Sequence, residues 1–185
     1  MPKVIVPLAE GFEEIEAVTI IDILRRAKIE VAVAGLKFGA TAGSHGIAVT
    51  PDVRIEDVNS AEYDMIVLPG GQPGTKNLKG SHSVLSLVKE FYAKGKLVGA
   101  ICAAPTVLHE AGILKDKKAT SFPGYEPEMP DANYVSETVV WDGNIVTSRG
   151  PGTAAAFALS IVAKLGVRAE AEKLKNDMLY FCINL

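Results

Sequence analysis

Residues 97–108 read LVGAICAAPTVL, and this stretch decides the fold. Leu97 to Ile101 form an apolar run of the kind found when both faces of a parallel strand are covered. Cys102-Ala103-Ala104-Pro105 then turns the chain sharply into a helix that stops near Gly112, a residue suited to a helix C-terminus. The same alternation continues on either side. Lys3–Leu8 (KVIVPL), Glu30–Gly35 (EVAVAG), Met65–Leu68 (MIVL) and Ile145–Ser148 (IVTS) also read as strands. Ala17, Ile20, Ile21 and Leu24 recur at i, i+3, i+4 and i+7, an apolar stripe of helical period. Val84, Leu87, Val88 and Phe91 repeat that spacing, and Gly152–Leu165 and Val167–Met178 supply two further helices. Residues 39–58 read as a β-hairpin excursion, and 123–138, with Pro123, Pro127 and Pro130, as a loop. Strands alternating with helices imply a doubly wound, mostly parallel sheet with helices on both faces, in one α/β domain over residues 1–185.

Composition narrows the function. The chain has 185 residues, 48% of them apolar and 22% charged, which excludes a disordered chain. A net charge of −3 gives no electrostatic footprint for nucleic acid or an anionic membrane. No apolar run approaches the roughly 20 residues of a membrane span. The start MPKVIVPLAE reads as the first strand rather than a signal peptide. Cys102 and Cys182 do not make a disulfide framework. The expectation is a water-soluble cytoplasmic protein.

In such sheets, ligands bind beyond the carboxyl ends of the strands. Three loops qualify: Ala9–Glu13, Pro69–Gly74 and the turn at Cys102. Small neighbours suit Cys102 to a nucleophile elbow, and the helix start after it is expected to lower its thiol pKa. A free cysteine can also be a small buried hydrophobe. Gly70-Gly71 allows backbone N–H groups to approach an oxyanion, although a plain tight turn reads the same way. The segment lacks the lysine and glycine spacing of a phosphate loop.

Glu10, Glu13, Glu14 and Glu16 crowd the entrance of the first helix, where most are expected to be exposed beside the helix dipole. At about 100° per residue, Glu16 lies ~40° from Ile20, at the edge of the apolar face, and Glu14 ~120° away. Glu13 would also be in phase if the helix began that early. A carboxyl against an apolar face has a raised pKa and can donate a hydrogen bond to a thiolate. His45, His82 and His109 share no metal-ligand spacing with one another or with either cysteine, so no metal site is expected. Cys182, in YFCINL, is expected to be packing.

Taken together, EGFEEIEAVTIIDILRRA, VLPGG at Val67–Gly71, AICAAPTVL at Ala100–Leu108 and TSRGPGT at Thr147–Thr153 resemble the DJ-1/PfpI (ThiJ) superfamily, closest to its small single-domain DJ-1-like branch. The resemblance implies a flavodoxin-like three-layer sandwich. It makes Cys102 the reactive cysteine, Glu16 its carboxylate partner, and Gly70, Gly71 and Ala103 an oxyanion or substrate pocket. It also implies a homodimer, with His45 reaching toward the partner's site. Ala103 stands where a protease-like branch has histidine, which argues against peptidase activity. Phe122 stands where many DJ-1-like proteins have a histidine, which removes one proton shuttle.

Two functions follow from the resemblance. One is a cofactor-independent glyoxalase or deglycase, in which Cys102 adds to a small reactive aldehyde and Glu16 moves the proton. The other is an oxidative-stress sensor or redox-regulated chaperone, in which Cys102 is oxidised without turnover.

Overall fold

The computed structural model describes residues 1–183. Its strands are β1 (Lys3–Leu8), β2 (Glu30–Gly35), β3 (Thr41–Ala42), β4 (Ala48–Val49), β5 (Val53–Arg54), β6 (Met65–Leu68), β7 (Leu97–Ile101), β8 (Lys118–Ala119), β9 (Asn133–Tyr134), β10 (Val139–Asp142) and β11 (Ile145–Ser148). Its α-helices are α1 (Glu14–Arg26), α2 (Gly74–Lys79), α3 (His82–Ala93), α4 (Pro105–Glu110), α5 (Ala154–Val162) and α6 (Arg168–Asp177). Seven strands form one sheet in the order β10-β11-β7-β6-β1-β2-β5, parallel except for β10 against β11.

Strand side chains alternate between two cores, as the period of 2 requires. Val4, Val6 and Leu8 of β1 face the layer containing α1, α5 and α6, where Ile20, Leu24, Phe157 and Leu174 pack. Ile5 faces the opposite layer with Ile66, Leu68, Val98, Val84, Phe91 and Val107. Full burial of an aliphatic side chain such as Ile20 or Leu24 contributes about 1.5–3 kcal/mol, so the stripe that marks α1 in the sequence is what fixes it to the sheet. Residues 151–177 have the length and composition of a membrane-crossing helix, but Gly166, at φ 92°, breaks the run, and Phe157, Ala158, Leu159, Ile161 and Val162 are buried in this core.

The five long strands and the hairpin excursion (β3 with β4) lie where the sequence pattern puts them. β10 was not evident from the pattern. It is a partly buried edge strand, held by a hairpin through Gly143 (φ 62°) rather than by a covered apolar run. The proline-bearing segment 123–138 is not loop throughout, because Asn133–Tyr134 pairs with Lys118–Ala119. The helix after Cys102 ends at Glu110, two residues before Gly112.

Candidate active site

The sheet winds from β1 to β2 on one side, and the chain then returns to lay β6 on the other side of β1. At that switch the loops after β1, β6 and β7 meet at the carboxyl ends of the strands, the place where sheets of this kind bind their ligands.

Cys102 is the first residue after β7 and has φ 65°, in the left-handed region that side chains other than glycine rarely adopt. Such a conformation costs about 1–3 kcal/mol and persists only where the surroundings enforce it. Here its N–H donates to the Ser148 carbonyl at 3.1 Å, and its carbonyl accepts the Phe122 N–H at 2.9 Å. The elbow is thus clamped between two segments, with the thiol side chain partly exposed.

Glu16 sits in the first turn of α1 and is fully buried. Its Oε2 accepts the Gly70 N–H at 2.8 Å, while Oε1 has no hydrogen-bond partner among the described residues. The two reactive groups flank Gly70. A Cβ there would lie 2.6 Å from Cys102 Cβ and 2.8 Å from Glu16 Oε2, so only glycine lets carboxyl and thiol close on each other. Gly71 follows at φ 94°, where a Cβ would stand 2.2 Å from the Glu13 backbone nitrogen.

Burial pushes the Glu16 carboxyl up to about 7, with the nearby thiol and the Gly70 N–H drawing it part of the way back. The thiol's effect on Glu16 is one of proximity rather than of a formed hydrogen bond, since Oε1 lacks a partner of suitable geometry. Burial, then the Glu16 charge, pushes the Cys102 thiol up to about 12, against the N–H groups of Ala103 and Gly71, which favour thiolate. The lowered thiol pKa expected from the helix start is therefore overturned. α4 has only six residues, and desolvation beside a carboxylate outweighs its dipole. Between about pH 7 and about pH 12 the pair holds one proton.

Of the three backbone groups expected to form an anion pocket, the Ala103 and Gly71 N–H groups lie near enough to the sulfur to favour its thiolate. Gly70 does not contribute one, because its N–H is committed to Glu16. Its part is to hold the carboxyl and leave room beside the thiol.

The glutamate entrance also differs from the expected exposed face. Only Glu10 is exposed; Glu13, Glu14 and Glu16 are buried. Glu13 caps α1, its Oε2 accepting the Glu16 N–H at 2.7 Å. Glu14 points away from the sheet, as its helical phase requires, but is covered by the β3–β4 hairpin. Its Oε1 accepts the His45 N–H at 2.6 Å and the Ile47 N–H at 3.4 Å. Its Oε2 lies 2.9 Å from His45 Nδ1 and accepts the Ser44 hydroxyl at 3.2 Å. Desolvation opposes its ionisation, yet the hydrogen bonds from His45 and the backbone win and hold it down to about 2. His45, itself exposed, thus pairs with Glu14 of its own chain, and Glu14 raises its pKa. The carboxylates of Glu13 and Glu14 and the His45 imidazole come within 4.8 Å, a grouping that spacing in the sequence did not reveal.

Two contacts at the rim also escaped the sequence reading. Gln72 Nε2 donates to the Tyr125 hydroxyl at 3.2 Å, and Lys79 pairs with Glu128 at 3.2 Å, joining the glycine turn and α2 to the 122–129 segment. They lie about 50 residues apart in the chain and carry no motif. Cys182, expected to pack, is exposed.

The sequence pattern of the DJ-1/PfpI family matches residues 2–164. The chain is 42% identical over 178 residues to protein dj-1beta of Drosophila melanogaster, covering 95% of each. The crystal structure of that fly protein superposes with a TM-score of 0.94, covering 100% of this chain and 99% of the other. Identity to protein DJ-1 homolog B of Arabidopsis thaliana is 41% over 96% of this chain, which spans only 41% of that longer protein. A protein named deglycase from Pyrococcus abyssi is 35% identical, over 88% of this chain and 99% of its own length. With the parallel sheet and the elbow at Cys102, these matches make the chain a member of the DJ-1/PfpI family.

Proposed function

We propose that this chain is a cofactor-independent enzyme acting on small 2-oxoaldehydes, with Cys102 as nucleophile and Glu16 as proton carrier. The observation that carries the reading is the strained elbow at Cys102 beside a buried carboxyl whose Oε1 has no partner among the described residues, with the Ala103 and Gly71 N–H groups favouring the thiolate. One proton shared by the pair at neutral pH suits the chemistry. Sulfur bonds to the aldehyde carbon, and the shared proton passes to the aldehyde oxygen, giving a hemithioacetal and an ionised Glu16. While charge resides on that oxygen, the Gly71 and Ala103 amides stabilise it. Glu16 takes the proton from the former aldehyde carbon and returns it to the adjacent keto carbon, while the hydroxyl proton passes from the former aldehyde oxygen to the keto oxygen through the enediol. One carbon is oxidised and its neighbour reduced, leaving a thioester. Water cleaves the thioester to a 2-hydroxy acid and restores the thiol. The deglycase form of the reading places an early glycation adduct on the same thiol, in line with the archaeal relative's name. A homodimer belongs to this proposal, through the exposed apolar residues Ile15, Val18 and Ile47 on and beside α1.

The test is methylglyoxal turnover to lactate by the wild type, Cys102→Ser and Glu16→Gln. Cys102→Ser is expected to abolish turnover, and Glu16→Gln to lower it by ~10²–10⁴, the usual worth of a positioned proton carrier. Equal turnover by Glu16→Gln overturns its role. An inactive wild type that gains the mass of two oxygens at Cys102 under dilute peroxide would favour the sensor reading.

A further inference from the structure

We propose that Phe122 is the specificity-determining residue of this site, selecting 2-oxoaldehydes that carry an aromatic or bulky apolar group on the keto carbon; the inference rests on the aldehyde chemistry proposed for Cys102. Phe122 is one hydrogen bond from the nucleophile, its N–H donating to the Cys102 carbonyl at 2.9 Å. Its ring packs over Gly150, where a Cβ would come within 3.1 Å of Phe122 Cδ2, so the glycine makes the seat for the ring. Even so, the residue remains 45% exposed. The residue bonded to the elbow of a partly exposed thiol thus leaves nearly half of its surface open as an apolar wall. Apolar surface left open beside a reactive centre favours a ligand group that would cover it.

The wall is also held in place. The Tyr125 N–H donates to the Phe122 carbonyl at 3.3 Å, and the Tyr125 hydroxyl accepts from Gln72, the residue after Gly71. The Lys79–Glu128 pair ties the same segment to α2, and the Gly124 N–H donates to Glu126 at 2.8 Å. The Phe122 backbone is therefore tied to both the elbow and the glycine turn, with Gly150 as the seat of its ring. The charges on this segment are already engaged. Lys79 and Glu128 neutralise each other, and Glu126 is held below the usual carboxylate range, chiefly by backbone hydrogen bonds. A phenyl or branched alkyl group would gain ring contact and lose water.

The test compares kcat/KM for phenylglyoxal and methylglyoxal in the wild type, Phe122→Ala and Phe122→Tyr. The ratio between the two substrates cancels their intrinsic reactivities when it is followed across the variants. Phe122→Ala is expected to lower the phenylglyoxal-to-methylglyoxal ratio roughly tenfold, mostly through KM for phenylglyoxal, as loss of one aromatic contact predicts. Phe122→Tyr, which keeps the ring, is expected to retain the wild-type ratio. Thermal melts followed by circular dichroism check that all three proteins are folded. An unchanged ratio in Phe122→Ala overturns the inference while leaving aldehyde turnover standing. If the wild type turns over neither aldehyde, calorimetric binding of mandelate against lactate decides separately. Mandelate binding that weakens roughly tenfold in Phe122→Ala, with lactate unaffected, upholds the wall, and binding indifferent to the substitution overturns it.

Discussion

Glu16→Gln is expected to make the protein more stable at alkaline pH and nearly neutral at acid pH. Gln presents an oxygen to the Gly70 N–H in place of Oε2 and an NH₂ group in place of the unpartnered Oε1, so it mimics the protonated carboxyl. Burial raises Glu16 from 4.5 to about 7. The native state then binds more protons than the unfolded chain between those values, so stability falls as pH rises through this window and stays low above it. At 1.36 kcal/mol per pKa unit, the wild type loses about 1 kcal/mol at pH 5 and about 3 kcal/mol at pH 8 relative to a permanently neutral side chain. The other large shifts lie elsewhere. Glu14 acts between about 2 and 4.5, and Cys102 acts above 9. The raised His45 pKa acts from 6.5 upward, but it is common to both proteins and cancels in the comparison. The assay is urea unfolding of both proteins at pH 5 and pH 8, at matched concentration because oligomerisation shifts apparent stability. The gap in favour of Glu16→Gln should widen by about 2 kcal/mol from pH 5 to pH 8. A gap that is constant, or that narrows with pH, would refute the account of a carboxyl buried at the expense of stability.

Gly71→Ala places a Cβ at φ 94° and 2.2 Å from the Glu13 nitrogen, so it should lower the melting temperature far more than Gly112→Ala. Gly112 has φ 75° but open space around it, and its loss should be about 1 kcal/mol. Equal effects in the two melts would show that the close approach at Gly71 is unimportant. Removing the Glu16 charge should lower the Cys102 pKa, since that charge is the second cause of its rise; ultraviolet titration of the thiolate should place Glu16→Gln below the wild type. A higher value in Glu16→Gln would contradict the coupling. Glu14→Ala should destabilise the β3–β4 hairpin by about 1–3 kcal/mol, because the N–H groups of His45 and Ile47 lose a charged acceptor. With Glu14 held down to about 2, the stability it confers should be present above pH 4.5 and fade as pH falls toward 2. Protease sensitivity at residues 43–47 that is unchanged by the substitution would count against this role.

The sequence alone determined the architecture and pointed to Cys102 and Glu16 as a candidate pair. Continuous apolar strands separated by helical stripes admit little besides a covered parallel sheet; helical phase set Glu16 at the edge of the apolar face of α1 but left Glu13 open, and the family motifs chose between them. The family motifs pointed to Cys102 for the same local reason, since a strand-to-helix turn is written in consecutive residues. What tertiary structure decided is everything that depends on residues distant in the chain. Separations of 54 residues between Gly70 and Glu16 and 53 between Gln72 and Tyr125 hide which N–H meets the carboxyl and which hydroxyl closes the rim. Glu14 illustrates the limit most clearly. Its phase directs it away from the sheet, which normally means solvent, and only the hairpin laid across it makes it a buried hub. The thiol pKa follows the same logic. A helix start predicts a fall, but desolvation and the Glu16 charge both arise from packing across the switch point of the sheet, and together they reverse the sign.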